Sequence, residues 1–276
     1  MKIHTVEGGN GLKLHVREWG KAEGAPILFV HGWSQNHLSW HKQIESDLAE
    51  EFRLVAFDLR GHGMSEKPLG AEHYTNAQLW ADDLAAIIDA LELERPVLVG
   101  WSYGGFVMND YLRAYGQDAV AGVNYVGAGV TLNEPAFGTL IGRGLLENAE
   151  GAASADLPTS IQAMRTFLKS CLVKPISQED FEVALAYNVI VPSEVRAALA
   201  AREIDADDVM SALRVPVLVT HGREDIAMLP AMGEHILETC PNATASWYEG
   251  VGHIPFMEEG ARFNEELAAF VKQAQP

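Results

Sequence analysis

Four short runs of the chain are apolar at nearly every position: "PILFV" (26–30), "FRLVAFD" (52–58), "RPVLVG" (95–100) and "VPVLVTHG" (215–222). A strand with one wet face alternates apolar and polar residues. Runs of this length without alternation predict strands buried on both faces, hence a parallel sheet covered by helices. Ahead of them, residues 3–7 and 12–19 read as two strands joined across "EGGNG", a hairpin signal. One more strand is expected at 244–248.

Between these runs the period becomes helical. In "NAQLWADDLAAIIDALEL", Trp80, Leu84, Ile87, Ile88 and Leu91 form one apolar stripe, with Thr75 predicted as N-cap. "FVMNDYLRAYG" reads as a helix closed by Gly116, and "ARFNEELAAFVKQ" as a terminal amphipathic helix. Strand and helix alternate, which predicts an α/β fold with right-handed crossovers. The alternation lapses over 130–212, an Ala-rich stretch with helical patterns such as "SIQAMRTFLKSCL" and "EDFEVALAYNVI". The expected organisation is therefore a core of residues 1–129 and 213–276, with residues 130–212 as a helical cap on the sheet's carboxyl edge.

Composition narrows the partners. The 276 residues are 48% hydrophobic and 21% charged, ordinary for a globular chain, with a formal net charge of −18. That charge argues against nucleic acid and anionic membranes, both of which need a positive footprint. Cys171 and Cys240 form neither a disulfide framework nor a metal-type spacing, and fit a reducing compartment. The opening "MKIHTVEGGNG" lacks the apolar core of a signal peptide, so a cytoplasmic location is expected.

The chemistry concentrates where strands end. "VLVGWSYGGFV" (97–107) carries Ser102 between Gly100 and Gly104, with Gly105 following. A strand, a sharp turn holding serine and then a helix is the G-x-S-x-G nucleophile elbow, which lifts Oγ clear of the sheet. A serine nucleophile needs a base, and the base an orienting acid. After the strand "VPVLVTHG", Asp225 is the candidate acid, with adjacent Glu224 as its rival. His253, in the loop of "EGVGHIPF", is the candidate base. Oxyanion stabilisation needs two N–H donors: Tyr103, after the nucleophile, and Trp33 of "FVHGWSQ", where Gly32 lets the loop bend. Trp33, Trp101, Tyr103, Phe106, Leu140, Ile141, Leu145 and Leu146 are candidates for an apolar acyl pocket. His37 and His41 stand i, i+4, a spacing that can hold a metal on a helix, but the Glu of H-E-x-x-H is absent and no metal is expected. His31 and His62 are read as loop fasteners, and His221 as packed.

Together, "HGW", "DLRGHGMS", "GWSYGG", "GREDIAMLP" and "GHIPFME" resemble the α/β-hydrolase family over essentially the whole chain. The resemblance is greatest to small bacterial carboxylesterases and cofactor-free chloroperoxidase-like arylesterases. It implies a mostly parallel eight-stranded sheet with helices on both faces. It also implies a Ser102–Asp225–His253 triad, an oxyanion hole from the Trp33 and Tyr103 amides, a turn role for Asp58, and no cofactor. Haloalkane dehalogenases and epoxide hydrolases carry aspartate where this chain has Ser102. The expected function is hydrolysis of small to medium apolar esters; a lactonase, a carbon–carbon hydrolase, a perhydrolase side activity and a ligand receptor are the alternatives. A pimeloyl-ester-type esterase acting on an acidic carrier would want a basic cap. Residues 130–212 hold six basic residues against twelve acidic ones.

Overall fold

The computed structural model describes residues 1–275. Strands β1 (Lys2–Glu7) and β2 (Lys13–Gly20) form the expected hairpin, with Val6 facing Leu14. β3 (Pro26–Val30), β4 (Arg53–Phe57), β5 (Val97–Trp101), β6 (Gly122–Val126), β9 (Val217–Gly222) and β10 (Ala243–Tyr248) complete an eight-stranded sheet. The order is β1-β2-β4-β3-β5-β6-β9-β10. The pairs β1/β2 and β2/β4 are antiparallel and the rest parallel. Every residue of β3, β5, β6 and β9 is buried, so the sheet is covered on both faces.

Helix α1 (Ala77–Ala90) packs against α2 (Tyr103–Tyr115), the helix that leaves β5. Thr75 is not the cap of α1. Its hydroxyl donates back to the Ala71 carbonyl, while the Asn76 side chain accepts from the Gln78 amide. Asn is the stronger cap, and it stands one residue nearer the helix. Gly116 ends α2 at φ 75°, where only glycine is unstrained.

The chain leaves the sheet after β6 and returns at β9. A two-stranded ladder pinches the base of this excursion: β7 (Thr131–Leu132) pairs with β8 (Ile204–Asp205). Beyond the ladder lie α3 (Arg143–Ala152), α4 (Leu157–Ser170), α5 (Gln178–Val189) and α6 (Ser193–Ala200). α7 (Pro230–Thr239) and α8 (Gly260–Ala274) follow β9 and the loop after β10. Among the described residues, no single helix is long and apolar enough to cross a membrane.

Candidate active site

Ser102 sits between β5 and α2 with φ 55° and ψ −117°, a strained backbone that a non-glycine residue adopts only when its surroundings enforce it. The neighbouring glycines enforce it. A Cβ on Gly104 would lie 2.4 Å from the Val30 carbonyl oxygen, and one on Gly105 2.5 Å from that of Gly129. A Cβ on Gly100 would strike the Met108 side chain at 2.3 Å, and one on Gly32 would lie 3.0 Å from the Ser102 Cβ. The first turn of α2 and the loop after β3 therefore close directly around the serine.

His253 reaches this site from the loop after β10. Its Nδ1 lies 2.7 Å from Asp225 Oδ2, and both side chains are buried. The loop is clamped by its backbone: the His253 amide donates to the Cys171 carbonyl, and Trp101 Nε1 donates to the His253 carbonyl at 2.9 Å. Among the described residues, no hydrogen bond commits Ser102 Oγ or His253 Nε2 to another group, and both residues line one cavity. Among the described residues, the amides of Trp33 and Tyr103 likewise meet no acceptor.

Asp225, not Glu224, is the carboxylate that meets the histidine. Glu224 turns away and accepts from the Val251 amide. Asp225 Oδ1 accepts from the Ala227 and Met228 amides, while Oδ2 faces His253 and, at 3.3 Å, Nε2 of His221. Burial alone would push this carboxyl up. The two histidines outweigh burial and hold it down at about 2, so it is ionised throughout the neutral range. His221 Nε2 also lies 2.9 Å from the Met228 carbonyl, which can only accept, so Nε2 carries the proton. His221 is thus a second donor to the acid, a role its packed reading does not foresee. Gly127, at φ 46°, lies beneath the pair; a Cβ there would be 3.2 Å from His253 Nδ1.

His31 and His62 fasten the loops. Burial pushes His31 down to about 4 and His62 to about 3, leaving both neutral. Nε2 of His31 accepts from the Leu59 amide, and Nε2 of His62 from Ser34 in the Trp33 loop. Asp58 serves its turn by accepting from the His37 and Met64 amides. His37 and His41 do not converge: His37 Nδ1 faces Asp58, whereas His41 faces Asp180 across 3.3 Å. His37 instead clusters with His15 and Asp58.

The cavity over Ser102 measures about 100 Å3. Of the residues expected for an acyl pocket, Trp33, Tyr103, Phe106, Ile141, Leu145 and Leu146 line it. Leu140 and Trp101 do not. Leu140 packs against the core and offers its carbonyl to Leu229, and Trp101 turns away from Ser102 toward the back of the histidine loop. Phe137, Phe167, Leu199, Ala149 and Met228 take part without having been predicted. Helical periodicity identifies an apolar face but not what the face looks onto. Among the described residues that line this cavity there is no Asp, Glu, Lys or Arg.

A family profile described as the alpha/beta hydrolase fold matches residues 25–260. The fold is similar to that of a Burkholderia cenocepacia protein described as an aryl esterase, at TM-score 0.94, 35% identity and 99% coverage of both chains. It is also similar to the esterase RhEst1 from Rhodococcus sp. ECU1013, at TM-score 0.92, 35% identity and 99% coverage of both. A non-heme chloroperoxidase of Streptomyces lividans is 26% identical over 97% of this chain and 99% of its own.

Proposed function

From the premise that this chain belongs to the α/β-hydrolase family, we propose that it is a serine carboxylesterase acting through an acyl-enzyme. The observation that carries this reading is the shared cavity. Ser102 on its strained elbow and His253, its far nitrogen on Asp225, open into one apolar space beside two uncommitted amides.

In this reading His253 Nε2 takes the Ser102 proton as Oγ attacks the ester carbonyl. The Trp33 and Tyr103 amides hold the oxyanion, each worth roughly 3 kcal/mol of barrier. The tetrahedral intermediate collapses, the C–O bond to the alcohol breaks, and His253 returns the proton to the leaving oxygen. Water then repeats the sequence on the acyl group. Asp225 stays ionised, fixes the tautomer and stabilises the imidazolium. A cavity of about 100 Å3 without a fixed charge favours short, uncharged acyl groups. Peroxide in place of water in the second half would give a peracid, and similarity to the chloroperoxidase favours testing that side activity.

The test is hydrolysis of p-nitrophenyl esters across acyl lengths C2 to C12, with Ser102→Ala alongside. The expected result is turnover greatest on short chains and absent from the variant. Turnover retained in Ser102→Ala contradicts the assignment.

A further inference from the structure

The segments that build the catalytic cavity have a second side. Trp101 precedes Ser102, Ile254 follows His253, Leu168 follows Phe167, and Gln35 lies two residues after Trp33. All four line a different cavity of about 240 Å3, which shares no lining residue with the first. The end of β5, the histidine loop, α4 and the loop after β3 thus form a partition with neighbouring residues facing opposite ways.

The outer wall of the second cavity is α5, through Phe181, Ala184 and Tyr187. This helix is thinly held; Asn188 is its one buried residue. The interior is mostly apolar, while Glu45, Glu179 and Asp180 line it with no Lys or Arg among them. Among the described residues, only Asp180 of these three has an ionic neighbour, His41. The partition also bears on His253, because Trp101 and Cys171, both lining this cavity, hold its backbone carbonyl and amide.

We infer that this cavity is a second small-molecule site, for a compact apolar ligand carrying one ammonium group, and that filling it changes turnover through Trp101 and Cys171. The apolar interior takes the body of such a ligand. The carboxylates favour a cation and disfavour an anion. Trp101, Phe181 and Tyr187 line the same cavity, and aromatic rings attract a quaternary ammonium. The site stands on the cavity's own geometry; its link to turnover rests on the role proposed for His253.

The experiment titrates benzyltrimethylammonium into the full chain by calorimetry. Saturable binding is expected, about tenfold or more weaker for phenylmethanesulfonate. Ala184→Phe and Leu172→Trp, which fill this cavity, each weaken it by about tenfold or more, whereas Ala149→Phe, which fills the catalytic cavity, retains it. Circular dichroism and unfolding midpoints confirm that each variant folds. At saturation, kcat on p-nitrophenyl acetate shifts roughly twofold or more while KM holds. Absence of saturable binding, binding that survives both cavity-filling variants, or binding lost in Ala149→Phe overturns the site. Binding that leaves kcat unchanged overturns the link to His253. A chain inactive on every ester defeats the esterase reading, and the calorimetry still decides the cavity.

Discussion

The sheet and the helices above it hold their residues in place by different means. β3, β5, β6 and β9 are buried throughout, and the turns beside Ser102 and Asp225 close by main chain meeting main chain, with His31 and His62 tying the loops after β3 and β4 together. A Cβ on Gly222 would lie 2.0 Å from the Gly252 carbonyl oxygen, as tight as the elbow glycines. The helical excursion is instead held by buried polar side chains. The Arg196 guanidinium, buried and without a carboxylate partner among the described residues, donates to Ser34, Ser160 and the carbonyls of Ala152, Asn188, Val189 and Val191. Burial pushes it down to about 10, so it stays charged at neutral pH. Arg202 meets Asp110 of α2 at 2.6 Å. The contrast teaches a difference of degree: close main-chain approach places Ser102 and His253, and buried side-chain networks shape the space above them. Mutations should therefore separate chemistry from selectivity.

The largest effect is expected at Ser102. Ser102→Ala should lower kcat by roughly 10⁴-fold or more with the unfolding midpoint preserved, checked by steady-state kinetics and thermal denaturation. Next, Gly104→Ala forces a Cβ to 2.4 Å from a main-chain carbonyl, and neither segment can yield cheaply. A loss of about 1–3 kcal/mol or more is expected in urea unfolding. A fully stable variant would break the claim that the sheet side is fixed by backbone.

Arg196→Met tests the other side. It leaves buried acceptors unpaired, at about 1–3 kcal/mol for a group left without a partner. KM for a butyrate ester should rise by more than kcat falls, and discrimination between acyl lengths should flatten. Phe137→Ala opens the wall of the cavity over Ser102 and should move the preferred acyl group toward longer chains, by about tenfold or less in relative kcat/KM.

The smallest effect concerns pH. The folded Asp225 carboxyl sits at about 2, below the ordinary value of 3.8. A depressed acid stabilises the fold fully above its unfolded value and loses that contribution as pH falls through the folded one. Asp225 should therefore leave activity flat above about pH 4, and its stabilisation should fade between about pH 4 and 2. Unfolding free energies of wild type and Asp225→Asn across pH 2–5 check this, the variant showing the shallower acid loss.

The same contrast governs what the sequence reveals. Runs buried on both faces leave an unbroken apolar signature, and β3 falls on "PILFV" to the residue. β6 escapes notice because its sequence, "GVNYV", is broken by Gly122 and by Asn124. Asn124 is tolerated in the core since its Oδ1 accepts from the Thr220 hydroxyl at 3.0 Å. The convergence of Ser102, Asp225 and His253 is readable because tight turns restrict residue type. Donors such as His221, and the Gly127 floor under the histidine, become visible only when β6 and β9 lie side by side. The pocket is the least readable part. Along the chain Leu140 looks eligible and Phe137 gives no signal, and only the loop's turn toward Leu229 reverses their places.

The central claim is that Ser102 carries the acyl group, and rapid quench of p-nitrophenyl acetate turnover followed by peptide mass spectrometry tests it most directly. The account predicts one acetyl group per chain, on Ser102, with a matching burst of nitrophenol that vanishes in Ser102→Ala. Acetylation at another residue, or turnover with neither a burst nor an adduct on Ser102 under any quench time, would contradict it.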